Sequence, residues 1–268
     1  MVSKYYKGFL SEINMNVTIL QTDIQWGQPK ETIRQAESLL LSHPGSDLYV
    51  LPEMWSTGFA TEPQGLAENE SDSVSLAWMK SIAEQQNCAI CGSLAIRTAD
   101  GSYRNRQYFV DGRNGNLQHY DKHHLFTYGG ENQYYQAGKN HTIVEYEGFH
   151  ILLLTCYDLR FPIWSRYADN LQYDLIICVA NWPESRQNAF QILTRARAIE
   201  NMSYMVAVNR VGDDDYSHYR GCSCILSPIG KTLIQCKPNI SEAISFSLNL
   251  ESLQQKRAKF RVLEDRDR

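Results

Sequence analysis

The chain has 268 residues, 43% hydrophobic and 21% charged, enough apolar material for a substantial core in one large domain or two small ones. A formal net charge of -4 with no Lys/Arg-rich run leaves no electrostatic footprint for a nucleic-acid backbone or an anionic membrane surface. Seven cysteines, an odd number in a chain too long to need staples, argue for reduced thiols and against a secreted disulfide framework.

The opening MVSKYYKGFLSEIN has no apolar stretch of signal-peptide length, and no later run reaches transmembrane length, so a cytoplasmic protein is expected. Met15 is a candidate initiator, which makes residues 1–14 a non-homologous or disordered lead-in to a domain over residues 15–268. From Met15, MNVTILQTDI reads as a strand, and KETIRQAESLLLSH from Lys30 reads as a helix with Ile33, Ala36, Leu39 and Leu40 on one face. DLYVLPE is a short apolar strand ending at Glu53, SVSLAWMKSIAEQQN an amphipathic helix, and CAICGSLAI a further strand. NRQYFVDGRNGNLQHYD reads as two strands joined at Asn114-Gly115, and HILLLTC as an apolar strand ending at Cys156. LIICVANW is another strand, SRQNAFQILTRARAIENM a helix, and YMVAVNR, GCSCILSP and EAISFSLN supply later strands.

Buried-looking strands alternating with helices predict a single α/β domain whose sheets are covered by helices, with reactive groups at the carboxyl ends of the strands. The long Gly-containing connections LPEMWSTGFATEPQG and LFTYGGENQYYQAGKN are of a size that usually serves function.

Three apolar-to-polar transitions each deliver a reactive side chain: Glu53 after YVLP, Lys122 after QHYD and Cys156 after ILLLT. Taken singly, these read as a surface carboxylate, a solvated lysine and a small buried thiol. The setting of Cys156 says more. YDLRFP follows it, with Pro162 placed for the first turn of a helix through IWSRYAD, so the thiol sits at a tight strand-to-helix turn. A turn of that kind exposes a nucleophile and aims backbone N–H groups at its substrate.

LPEMWSTGF, YDKHHLF, TCYDLRFP, VANWPESR and RARAIENMSYMVAVNR together resemble the nitrilase superfamily of carbon–nitrogen hydrolases, in its omega-amidase-like branch. The resemblance covers most of the chain and implies a nitrilase-like αββα four-layer sandwich, a Glu53–Lys122–Cys156 catalytic triad, and a homodimer or larger homo-oligomer. It implies neither cofactor nor metal. A second carboxylate expected in the loop after the lysine falls on Glu131, which would orient Lys122 or substrate, or else simply hold the loop by a salt bridge. The implied substrates are small carboxylate-bearing amides such as 2-oxoglutaramate and 2-oxosuccinamate.

In that reading Glu53 takes the thiol proton, Lys122 and the Tyr157 N–H stabilise the oxyanion, and Glu53 returns the proton to the leaving nitrogen. Arg186 is the candidate for the substrate carboxylate. Arg160 and Arg197 rank behind it because arginines inside YDLRFP and TRARAIE could simply pair with buried carboxylates. Trp182, Tyr157 and Phe59 are candidate pocket walls, although aromatics beside apolar strands more often belong to the core.

Other signals are weaker. Cys88/Cys91 and Cys222/Cys224 lie within strand patterns and read as core, not as zinc ligands presented by turns. His123 and His124 suggest a Cys-His pairing with Cys156, but the sequence offers no acidic or amide orienter for them. The alternatives kept open are an aliphatic amidase or N-carbamoyl hydrolase with the same triad, and a catalytically silent binding or scaffold protein.

Overall fold

In the computed structural model, residues 13–267 are described, so most of the predicted lead-in, residues 1–12, lies outside them. β1 (Asn14–Gln21) is followed by α1 (Pro29–Leu41), which starts with Pro29 where a missing N–H breaks no helical bond. Next come β2 (Leu48–Val50), the short β3 (Glu68–Asn69), α2 (Val74–Gln86), β4 (Ala89–Arg97), β5 (Tyr103–Asp111) and β6 (Leu117–Asp121). Ser73 caps α2 by accepting the Leu76 N–H at 3.0 Å, and Asn87 ends it in a left-handed conformation at φ 50°. The predicted β5–β6 hairpin forms, with Gly115 at φ 73°.

The chain continues through α3 (Glu131–Tyr134), β7 (Ile143–Tyr146), β8 (Phe149–Thr155), α4 (Pro162–Ser165), β9 (Leu175–Ala180) and α5 (Gln187–Glu200). After β10 (Tyr204–Asn209), a small hairpin of β11 (Val211–Asp213) and β12 (His218–Arg220) precedes β13 (Cys224–Leu226) and β14 (Thr232–Gln235). β15 (Glu242–Asn249) returns to pair antiparallel with β1, and α6 (Leu250–Lys259) follows.

Two sheets result, ordered β15-β1-β2-β4-β5-β6, with β3 beside β4, and β14-β13-β10-β9-β8-β7. In each, the central strands run parallel and the outer ones antiparallel. Period-two alternation sorts the apolar side chains into layers. Met15, Val17 and Ile19 from one sheet pack with Ile151, Leu153, Ile177 and Val206 from the other. On the far face of the first sheet, Leu20, Tyr49 and Ile90 meet Ala36 and Leu40 of α1 and Met79 and Ile82 of α2. On the far face of the second, Leu152, Leu154, Ile176 and Met205 meet Phe190 and Ala198 of α5. The stacking is therefore α-β-β-α, the expected four layers.

One predicted element is shorter than expected. The helix after Pro162 stops at Ser165, where Arg166 turns extended (φ -66°, ψ 124°). The Tyr167 N–H, which would have continued the ladder, instead donates to Asn201 Oδ1 at 2.9 Å. Between Cys156 and this short helix the chain forms a 3-10 turn, Cys156–Arg160.

Candidate active site

Segments leaving the carboxyl ends of β2, β6, β8 and β9 converge at the seam between the sheets. Glu53 lies in the turn just beyond β2, and Lys122 immediately after β6. Cys156 follows β8 directly. Two of these turns are held in left-handed backbone by non-glycine residues: Met54 at φ 40° and Cys156 at φ 45°. Such conformations cost about 1–3 kcal/mol each and persist where the surroundings over-determine them. The Met54 N–H is fixed on Ser93 Oγ at 2.8 Å. At the thiol turn, Asp158 accepts the Thr155 N–H at 3.0 Å, the Tyr120 O–H at 2.8 Å and the His124 N–H at 2.9 Å, tying the elbow to the Lys122 segment.

Glu53, Lys122 and Glu131 form one buried cluster. Lys122 Nζ donates to Glu53 Oε1 at 2.8 Å and to Glu131 Oε2 at 2.9 Å. Asn105 Nδ2 bridges the same carboxylates, at 2.8 Å from Glu53 Oε1 and 3.0 Å from Glu131 Oε1, and its own Oδ1 accepts the Ser93 hydroxyl at 2.9 Å. Across the seam, the Asn181 N–H donates to Glu53 Oε2 at 2.8 Å. Glu131 also accepts the Phe126 N–H at 2.6 Å, so it both engages the lysine and holds the loop. Burial works against a charged Lys122, but Glu131 and Glu53 outweigh it and hold the ammonium pKa well above the ordinary lysine value. Burial pushes the Glu131 carboxyl up, Lys122 opposing.

Cys156 opens from this cluster into a cavity of about 530 Å³. Its thiol is held well above the usual cysteine range, first by burial and then by the Glu53 charge, with Lys122 pulling the other way. Phe59, Tyr157, Trp182 and Arg186 all line the cavity, whereas Glu53, Lys122 and Glu131 stand behind its wall. Trp182 is anchored by its indole N–H on the Arg186 carbonyl at 2.8 Å.

The arginines sort differently from the sequence-based order. Arg197 is a structural residue, donating to Glu200 at 2.8 Å and to the Leu159 carbonyl at 2.5 Å. Arg160, expected to pair with a buried carboxylate, is exposed and lines the cavity with its guanidinium 5.2 Å over the Trp182 ring. Arg186 lies 5.3 Å over the Phe126 ring. Neither has a carboxylate partner among the described residues.

His124 does find an acidic orienter, Asp158 Oδ1, 2.9 Å from its Nδ1. Its ring stacks on Phe161 at 3.8 Å and His123 stacks on Trp164 at 3.6 Å, and neither histidine lines the cavity into which Cys156 opens. Cys88, Cys91, Cys222 and Cys224 are buried free thiols within the packing. Asn105, Asn181, Ser93 and Asp158 carry much of the site's hydrogen bonding and were absent from the sequence-based candidates. Only the position of Asp158, two residues after Cys156 and three after Thr155, offers a local signal, that of a capped turn.

Comparison with known proteins fits this geometry. Residues 16–258 match the family model described as carbon-nitrogen hydrolase. The chain is 40% identical over 255 residues to the omega-amidase YafV of Yersinia enterocolitica, covering 95% of this chain and 97% of that one. To the 2-oxoglutaramate amidase of Bacillus subtilis (strain 168) it is 32% identical over 221 residues, 82% of this chain and 85% of that one. The crystal structure of XC1258 from Xanthomonas campestris, a CN-hydrolase superfamily protein with an arsenic adduct in the active site, superposes with a TM-score of 0.91 at 35% identity. That superposition covers 95% of this chain and 98% of the other. No helix among the described residues is long and apolar enough to cross a membrane. With a family match over nearly its whole length and relatives aligned almost end to end, the chain belongs to the carbon–nitrogen hydrolase family.

Proposed function

We propose that the protein is an omega-amidase, releasing ammonia from a small carboxylate-bearing amide of the 2-oxoglutaramate or 2-oxosuccinamate type through a Cys156 thioester. The observation that carries this reading is a single cavity that holds Cys156 together with two arginines, Arg160 and Arg186, that have no carboxylate partner among the described residues, backed by the buried Glu53–Lys122 pair. The arginines supply a place for the substrate's carboxylate, and an amidase for simple neutral amides has no use for them. The names of the relatives, an omega-amidase and a 2-oxoglutaramate amidase, support the same substrate class.

Proton inventory assigns the roles. An ammonium has three N–H donors, and Lys122 commits one to Glu53 and one to Glu131, leaving the third for a carbonyl oxygen. A carboxylate has about four acceptor sites, and Glu53 fills three with Lys122, Asn105 and Asn181, leaving one for the thiol proton. Because Cys156 stays protonated at rest, its proton moves to Glu53 as Sγ attacks the amide carbon. Lys122 and the Tyr157 N–H, near the start of a helical turn where N–H groups lack partners, receive the oxyanion. Glu53 then gives its proton to nitrogen, the C–N bond breaks and ammonia leaves a thioester. Water, deprotonated by Glu53, adds to the thioester, and its collapse yields the acid and the free thiol.

Ammonia release from 2-oxoglutaramate, from a neutral aliphatic amide and from an N-carbamoyl amino acid tests the assignment. We expect 2-oxoglutaramate to have the highest kcat/KM, with an acyl adduct trapped on Cys156 by intact-mass spectrometry and absent from Cys156→Ala. Turnover of the neutral amide without 2-oxoglutaramate would overturn the omega-amidase reading, and activity surviving in Cys156→Ala would overturn the mechanism.

A further inference from the structure

One buried acceptor on a residue that lines the cavity has no hydrogen-bond partner among the described residues. Asn181 is 4% exposed and lines the cavity. Its amide orientation is fixed, because Nδ2 donates to the Glu53 main-chain carbonyl at 2.7 Å, a group that only the NH2 end can meet. That leaves Oδ1 at the other end of the amide, buried and without a hydrogen-bond partner among the described residues. The rest of Asn181 borders both reacting groups. Its N–H lies 2.8 Å from Glu53 Oε2, and its carbonyl oxygen 4.0 Å from Cys156 Sγ. A buried acceptor left unpaired is destabilising, and its retention next to a nucleophile points to a ligand donor that fills it.

Resting on the amidase reading above, we propose that Asn181 is the residue that recognises the amide nitrogen: its Oδ1 accepts an N–H of the substrate's CONH2 group. The geometry divides the substrate amide in two. Its oxygen is drawn to donors, the third Lys122 N–H and the Tyr157 N–H, so its nitrogen must lie on the side that offers acceptors. Three of the Glu53 acceptor sites are already filled and the fourth takes the thiol proton, which leaves Asn181 Oδ1 as the buried side-chain acceptor without a partner among the described residues. Asn181 makes and breaks no covalent bond. It orients the nitrogen toward Glu53, so that when the C–N bond breaks the Glu53 proton is delivered to the departing NH2 and ammonia leaves. A site built to pair a substrate N–H discriminates strongly against an analogue that lacks it, here an ester of the same acid.

The test compares succinamate with monomethyl succinate, two substrates that give the same succinyl thioester and differ only in the leaving group. In Asn181→Ala, any damage passed through Glu53 lowers both rates. Beyond that shared loss, kcat/KM for the amide should fall a further 10- to 100-fold or so relative to the ester. A parallel fall, with the amide-to-ester ratio within about twofold of wild type, would overturn the proposal, since one lost hydrogen bond is expected to exceed that. The wild-type protein supplies a second reading that needs no variant. With each rate divided by that of alkaline hydrolysis, the amide should be favoured by about 100-fold or more, and equal normalised rates would likewise overturn it. Wild-type protein that turns over neither substrate would instead refute the amidase reading, and the role of Asn181 with it.

Discussion

Lys122 Nζ lies 2.8 Å from Glu53 Oε1, and neither side chain has any contact with solvent. Glu131 Oε2 is 2.9 Å away on the lysine's other side, equally buried, so two carboxylates depend on one ammonium. Removing one partner of a buried ionic cluster is far more damaging than its net contribution suggests, because the remaining charges have no water to return to.

Lys122→Met should therefore destabilise the fold by about 3–5 kcal/mol near neutral pH, besides abolishing turnover. The deficit should shrink in acid. Burial already raises the Glu131 carboxyl pKa, and loss of the lysine raises it further, so the variant's stability is retained below the unfolded carboxyl pKa of about 4.5. It is lost progressively as pH rises through the higher folded value. Urea denaturation of wild type and variant at pH 5 and pH 7.5 checks this, and an equal deficit at both would contradict it.

Burial and the Glu53 charge keep the free enzyme's thiol protonated. Alkylation of Cys156 by iodoacetamide should accordingly climb with pH and show no plateau below pH 9, while turnover should already be high near neutrality if, as proposed, Glu53 accepts the proton during attack. An inflection in the alkylation rate below pH 7 would mean a preformed thiolate, and the general-base role of Glu53 would fall.

Arg160→Met and Arg186→Met should each lower the ratio of kcat/KM for 2-oxoglutaramate to that for a neutral amide by about 10- to 100-fold, the range for a hydrogen bond to a charged group. Steady-state kinetics on both substrates decide it. If only one of the two moves the ratio, that residue alone holds the carboxylate.

Alkali should also destabilise the protein through thiols remote from catalysis. Burial pushes Cys88, Cys91 and Cys224 up to about 12 from an ordinary value near 9. An acid whose folded pKa is raised contributes stability that is intact below its unfolded pKa and is lost as pH rises toward the folded one. The urea midpoint should be flat with respect to these groups up to pH 8 and fall between pH 9 and 12. Replacing Cys91, wholly enclosed between the sheets, with Ala should flatten that alkaline limb.

Much of this site was legible because its reactive groups follow strands: the apolar runs YVLP before Glu53 and ILLLT before Cys156, and the more polar strand LQHYD before Lys122. Those runs set both the strands and the points at which they stop. Asn105 and Asn181 were not legible. Their partner Glu53 is 52 and 128 residues away, and nothing in the pattern around a polar residue in or just after a strand says which carboxylate the fold will bring to it. The helix after Pro162 was over-extended for a related reason, since its end is set by Asn201, 34 residues downstream of the Tyr167 N–H that it captures. Arg160 was misplaced because YDLRFP does not reveal that the guanidinium rests on the face of Trp182 and not on an acid.

The bond from the Asn181 N–H to Glu53 joins groups borne by different sheets, since Glu53 follows β2 and Asn181 follows β9. In the proposed mechanism, base and ammonium come from one half of the molecule, nucleophile and nitrogen acceptor from the other. Neither half carries a working site of its own, so catalysis begins only when the two layers have docked in register. Enzymatic activity is thus a gauge of that docking: during refolding, ammonia release should lag helix formation and appear together with the burial of the inter-sheet core.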